Sequence, residues 1–188
     1  MAHYQTKHHG YNDDELISTL QKEVRRGNEE KAIYWALELG EEGKSGFGQL
    51  ASRLKVISYE DIGLGDPDIV LQVSKAIDDM QEMYRENKGE WRIVLSHIIL
   101  LLCRAKHSRI TDHFIIAMKD YWKNEKLDIP DYALDMHTSA GNLIGRTKGS
   151  TKGIDHFIKE GEKLKNENPN VKDIYKEKAH QIMGKRER

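Results

Sequence analysis

Cysteine is almost missing from this chain: Cys103 stands alone, so no disulfide framework can form within it. That thiol lies in the run Ile98-Ile-Leu-Leu-Leu-Cys103, where it reads as an inert buried group and not as a nucleophile. The same run is the longest apolar stretch, and it falls well short of the roughly 20 residues a spanning helix needs. No apolar signal core opens the chain, which begins MAHYQTKHHG. The expectation is a soluble, cytoplasmic protein with no membrane contact. An excess of one charge is also missing: 30 Lys and Arg face 31 Asp and Glu, for a net charge of −1. No global positive field would hold a nucleic acid, and any DNA contact has to come from a local patch. Sustained alternation of apolar and polar residues between turn signals is absent too, which excludes a sheet.

What is present is helical periodicity. Leu16, Ile17, Leu20 and Val24 form one stripe from about Asp13, and Gly27-Asn28 ends it and starts a second helix over Glu29 to Leu39. Phe47, Leu50, Ala51, Leu54 and Ile57 mark a third. Asp66-Pro67 opens a fourth that carries Val70, Val73, Ile77 and Met80. Trp91 to Ala105 is apolar around nearly its full circumference, which predicts a central, surrounded helix with His97 as a hydrogen-bonded core residue. A further helix, capped by Ser108 or Thr111, is expected to turn Phe114, Ile115, Met118 and Trp122 inward. The fold expected is all-α, a compact bundle of eight or nine helices. Its parts are a flexible N-terminus over 1–12, one helical domain over 13–183 and a frayed tail over 184–188. Within that domain, 13–124 is the core, 129–164 a Gly/His/Arg stretch and 169–183 a C-terminal helix. His3, His8 and His9 fall in the mobile terminus, with no ligand spacing behind them.

The segment from Gly40 to Gly48 superficially suggests a phosphate loop. Such a loop needs Gly, four residues, then Gly-Lys-Ser/Thr; Gly43-Lys44-Ser45 would require Gly where Glu38 stands, and no strand precedes it. The glycines there read as a flexible connection. The chemistry-bearing residues concentrate instead between Ile129 and Leu164. Asp135, His137 and Thr138 precede a Gly-containing segment ending in Arg146, and a second helix brings Asp155, His156 and Glu160. A reversal between Lys148 and Gly153 would make these sets converge. Arg146 is suited to an anion by its planar fork, with Lys148 and Lys152 adding positive charge. His137 and His156 are of the right type for acid and base, with Asp135 or Asp155 orienting a ring. The structural alternative is equally open: Asp135 and Thr138 as caps, and Arg146 as a bridge to Asp155 or Glu160. A zinc site at His137 and His156 lacks short ligand spacing, and no metal or cofactor is expected.

Three stretches carry a family resemblance: Leu16 to Asn28 with Ala32-Ile-Tyr-Trp35; Arg53 to Pro67, with Tyr59-Glu-Asp-Ile-Gly-Leu-Gly-Asp66-Pro67 as its most specific part; and Leu101-Leu-Cys-Arg-Ala-Lys106-His-Ser108. Together they resemble the C-terminal helical part of the replication-associated recombination AAA+ ATPases, over roughly residues 12 to 110. The resemblance implies a collar-like oligomerisation domain that assembles tetramers, with Tyr59, Glu60, Asp61, Ile62 and Asp66 on the assembly segment. The ATPase module of that family has no counterpart in this sequence. The later stretch resembles small stand-alone relatives carried by phages and mobile elements. The reading is a non-enzymatic homo-oligomer that acts through a replication protein, DNA or ligand partner. The alternatives are a protein that sequesters a nucleotide or other phosphorylated small molecule at Asp135, His137, Thr138, Arg146, Lys148, Lys152 and His156, and a hydrolase using the two histidines.

Overall fold

A computed structural model describes residues 5–185. His3, and residues 186–188 of the expected tail, lie outside the described residues. Among those described the chain is all-α, with nine α-helices and no strand beyond one isolated antiparallel bridge between Gln5 and Asn12. The helices are α1 Asp13–Arg25, α2 Glu29–Gly40, α3 Gly43–Ile57, α4 Pro67–Arg85, α5 Trp91–Arg104, α6 Ile110–Asn124, α7 Ser139–Leu143, α8 Thr151–Gly161 and α9 Lys176–Lys185. Contacts divide the chain into two compact units, Met1–Asn124 and Glu125–Arg188.

In the first unit the apolar stripes meet as their spacing implied. Leu16, Leu20 and Val24 of α1, Ala32, Ala36 and Leu39 of α2, and Leu50, Leu54 and Ile57 of α3 are buried together. Val73, Ile77 and Met80 of α4 and Leu95, Ile98, Ile99 and Leu102 of α5 complete the same cluster. Each such side chain contributes about 1.5–3 kcal/mol by leaving water, so this cluster supplies most of the drive to fold. Cys103 belongs to it, and burial pushes its thiol up to about 11, so it is protonated and inert at neutral pH.

Several expectations change. The glycines from Gly43 onward are not a loose link but the start of α3. A Cβ on Gly46 would stand 2.3 Å from the Leu39 carbonyl oxygen, so its bare backbone is what lets α3 fold back onto the end of α2. α5 is not surrounded, since Ile93 is 71 % exposed and His97 faces solvent. Helical spacing registered the apolar residues but not that charged Arg92 and Arg104 mark an open side. α6 buries none of its residues. Residues 5–12, expected to be loose, pack on α2. Thr6 is buried and donates to Glu38 Oε1 at 2.7 Å, His9 Nδ1 lies 2.6 Å from Oε2, and the Lys7 amide donates to Glu42.

In the second unit a 3₁₀ turn, Asp131–Ala133, leads to α7 and α8. Thr138 caps α7 by accepting from the Gly141 amide at 3.0 Å, and Ser150 caps α8 by accepting from Gly153 at 3.0 Å. Gly149 takes φ +83° just ahead of that cap, so the chain does reverse between Lys148 and Gly153.

Candidate functional site

The three stretches that carried the resemblance meet at one residue, Asp61. Beyond the end of α3 at Ile57 the helical path continues as a wider π-helical turn, Ser58–Ile62, a feature often found at functional sites. Gly63 then reverses the chain at φ +46°, ψ −121°, a conformation closed to side chains with a Cβ. The wide turn drives Asp61 into the interior, where it is 0 % exposed. Its Oδ2 accepts from Gln21 Nε2 at 2.9 Å and its Oδ1 from Arg25 Nε at 2.6 Å, both on α1. Arg109 Nε stands 3.7 Å from the same Oδ1 and is buried without a hydrogen-bond partner. Glu60 sits 3.5 Å from a terminal nitrogen of each arginine, and Arg109 also bonds Asp112. The hydrogen bond to Asp61 raises the Arg25 pKa further above its ordinary value. A buried carboxylate is tolerable only when so surrounded.

The backbone of this segment is also a seat. The Ser108 amide donates to the Asp61 carbonyl at 2.9 Å. A Cβ on Gly65 would lie 2.4 Å from the Lys106 carbonyl oxygen, and one on Gly63 3.0 Å from Thr111 Oγ1. The strap from Lys106 to Arg109 thus lies directly on Gly63 and Gly65, and it delivers the start of α6. Of the residues assigned to assembly, Asp61 and Ile62 are wholly buried inside the unit and hold the segment in place, whereas Tyr59 is exposed; Glu60 and Asp66 are intermediate. Gln21, Arg25 and Arg109 were not singled out from the sequence. The available signal was the i, i+4 pair Gln21 and Arg25 flanking an apolar stripe, beside an Asp in an otherwise glycine-rich turn.

In the second unit the residues expected to bind a ligand mostly bind the chain itself. Arg146, its side chain 12 % exposed, spends its fork on the Asp131 and Leu134 carbonyls at 2.8 and 2.7 Å and on the Asp131 carboxylate at 3.0 and 2.8 Å. An incoming anion would have to displace Asp131. Lys152 Nζ donates to the Ile144 carbonyl at 2.6 Å, and Lys148 is exposed. Asp135 Oδ1 accepts from the His137 amide at 2.9 Å, with the ring Nδ1 3.4 Å from Oδ2. That ring packs edge-on against Phe157. Thr138 is occupied as the α7 cap. His156 Nδ1 is buried with no hydrogen-bond partner. Among the described residues no three of His, Cys, Asp or Glu gather so as to hold a metal ion.

The carboxylates of this unit imply a pH dependence. Asp131 is held below its usual range chiefly by the Arg146 hydrogen bonds, and Asp135 chiefly by the His137 amide. A carboxyl depressed in the fold contributes stability that is fully present above the unfolded value, near 4, and is lost as pH falls through the folded one. Acidification below about pH 4 is therefore expected to loosen residues 131–146. Amide NMR across an acid titration checks it: resonances of Leu134 and Arg146 that stay native down to pH 2 would contradict this account.

Comparison with known proteins matches residues 27–185 to the family described as MgsA AAA+ ATPase C terminal. The chain belongs to that family. Relatives of this MgsA-type C-terminal chain include the replication-associated recombination protein A of Bacillus subtilis (strain 168), 31 % identical over 143 residues, which are 76 % of this chain and 31 % of that protein. Its namesake in Haemophilus influenzae is 32 % identical over 123 residues, 65 % of this chain and 26 % of that protein. In Escherichia coli (strain K12) the figures are 30 % over 131 residues, 70 % and 29 %. The MgsA-type chain thus spans less than a third of these relatives' length. It carries no phosphate loop in its own 188 residues, and no helix among those described is long and apolar enough to cross a membrane.

Proposed function

We propose that the chain is a non-enzymatic, homo-oligomeric helical module of the replication and recombination type, acting through a protein, DNA or ligand partner, with α6 as its main assembly surface. The supporting observation is α6 itself: of its 15 residues none is buried, and Phe114, Ile115, Met118 and Trp122 are exposed by 65, 58, 38 and 75 %. These four share a face, since they fall at positions i, i+1, i+4 and i+8. A patch of that kind on a soluble chain marks an interaction site. The occupant proposed is a second copy, because the family resemblance implies assembly and because α6 starts rigidly from the Asp61 junction. Such anchoring lets every copy present the face in the same orientation, as a closed symmetric assembly requires.

Native mass spectrometry of the full chain, beside Phe114→Glu/Trp122→Glu, tests this. Neither side chain supports the core, so the variant is expected to keep the helical content of the wild type yet shift from an oligomer, a tetramer by resemblance, to a monomer. A monomeric wild type, or a variant that assembles unchanged, would refute the reading.

A further inference from the structure

A groove of about 970 Å³ opens between the start of α3, the end of α4 and the start of α5. Its floor is aromatic. Phe47 and Tyr84 stack with centroids 3.7 Å apart and planes 12° from parallel, and Trp91 meets them edge-on at 5.3 and 5.9 Å. Phe47 and Trp91 are buried while Tyr84 is half-exposed, so Tyr84 is the outer ring of the stack. The wall at Gly48 stays open: nothing lies within 4 Å of where its Cβ would be.

The rim is cationic, with Lys44, Arg85, Lys88 and Arg92 against the single carboxylate of Asp78. Two of the cations are committed. Arg92 pairs with Glu41 at 2.5 and 2.7 Å and lies over Trp91, and Lys88 pairs with Glu86 at 2.6 Å. Asp78 itself takes Lys55 at 3.2 Å. Arg85 hydrogen-bonds the backbone oxygen of Gln81 at 3.3 Å and acts on Glu86 only at longer range, and among the described residues Lys44 forms no close ion pair. Two cations without a close ion pair beside an extendable ring stack, in a protein whose net charge is −1, form a local patch and not a general field.

We propose that this groove is a nucleotide site, in which a base continues the Phe47–Tyr84 stack and phosphate oxygens take Lys44 and the guanidinium fork of Arg85. Its volume is of the size that encloses a ligand of that class. The site owes nothing to a phosphate loop, since residues 43–48 are the first turns of α3 with no strand ahead of them. The same chemistry is offered by a free mononucleotide or by one unit of a single strand. The site uses neither α6 nor the oligomeric state.

Calorimetric titration of the full chain with AMP, ATP, a short oligo(dT), inorganic phosphate and an acidic peptide containing phenylalanine decides the matter. Saturable binding of AMP or ATP, tighter than that of phosphate, is expected, with a loss of about tenfold or more in Lys44→Gln/Arg85→Gln at an unchanged melting temperature. Binding of the oligonucleotide alone supports the site equally and identifies the strand as its source. No binding of any nucleotide, binding no tighter than phosphate, affinity unchanged in the double variant, or capture of the acidic peptide alone would each overturn it.

Discussion

Asp61→Ala is expected to lower the stability of the first unit by about 3 kcal/mol, among the largest losses available from one side chain. The substitution removes the acceptor of Arg25 and Gln21 and the carboxylate beside Arg109, while leaving all three donors in place. Stranding a buried charge costs about 3–5 kcal/mol; the low end applies because the Arg25 and Arg109 side chains keep 31 and 37 % exposure and can partly rehydrate. Glu60→Ala is the control, because its contacts to the two arginines are 3.5 Å long and should contribute less than about 1 kcal/mol. Tryptophan fluorescence during urea unfolding reads the first unit alone, since Trp35, Trp91 and Trp122 all fall before residue 125. Equal losses for the two variants would mean that Asp61 is not the hub of the junction.

Gly65→Ala should cost about 1–3 kcal/mol by overpacking, and it should act on the strap. The added methyl meets backbone on the other side, the Lys106 oxygen at 2.4 Å and the His107 carbonyl carbon at 2.9 Å, so no rotamer change relieves it. The expected signature is faster hydrogen exchange from Lys106 into the first turn of α6, with core helix α1 less affected. Gly48→Ala is the counterpart of opposite sign. It sits within α3 where no atom would contact a methyl, so it should stabilise by about 0.5–1 kcal/mol through helix propensity. If both substitutions moved stability the same way, close approach at Gly65 would not be the reason for glycine there.

These sites show what could be read in the sequence. The stripes of α1 to α4 led directly to the core, because a helix face in a bundle built around one core has a single place to bury itself. The stripe of α6 was equally visible, yet its destination was not: periodicity says which residues share a face and is silent on what covers it. Asp61 stood out only as part of a resemblance, since its partners are 36 and 40 residues away in sequence and no local pattern joins them. Arg146 was read as an anion binder or as a bridge to Asp155 or Glu160, whereas Asp131, which occupies its fork, had no feature to distinguish it from other surface carboxylates. The reversal at Gly149 and the caps at Thr138 and Ser150 were legible, because caps and turns are local chemistry.

The π-helical turn at Ser58–Ile62 gives the chain an intolerance of a different kind, one of counting. A wide turn accommodates one residue more than the α-helical ladder would. Deleting any one residue there lets the segment relax to α geometry, and each residue of an α-helix is worth about 100° of rotation. Asp61 would then lose the placement inside the wide turn that sets its two oxygens against Gln21 and Arg25. Length in this segment is therefore as strict a requirement as chemistry, and conservative substitutions should be tolerated there far more readily than a single-residue insertion or deletion.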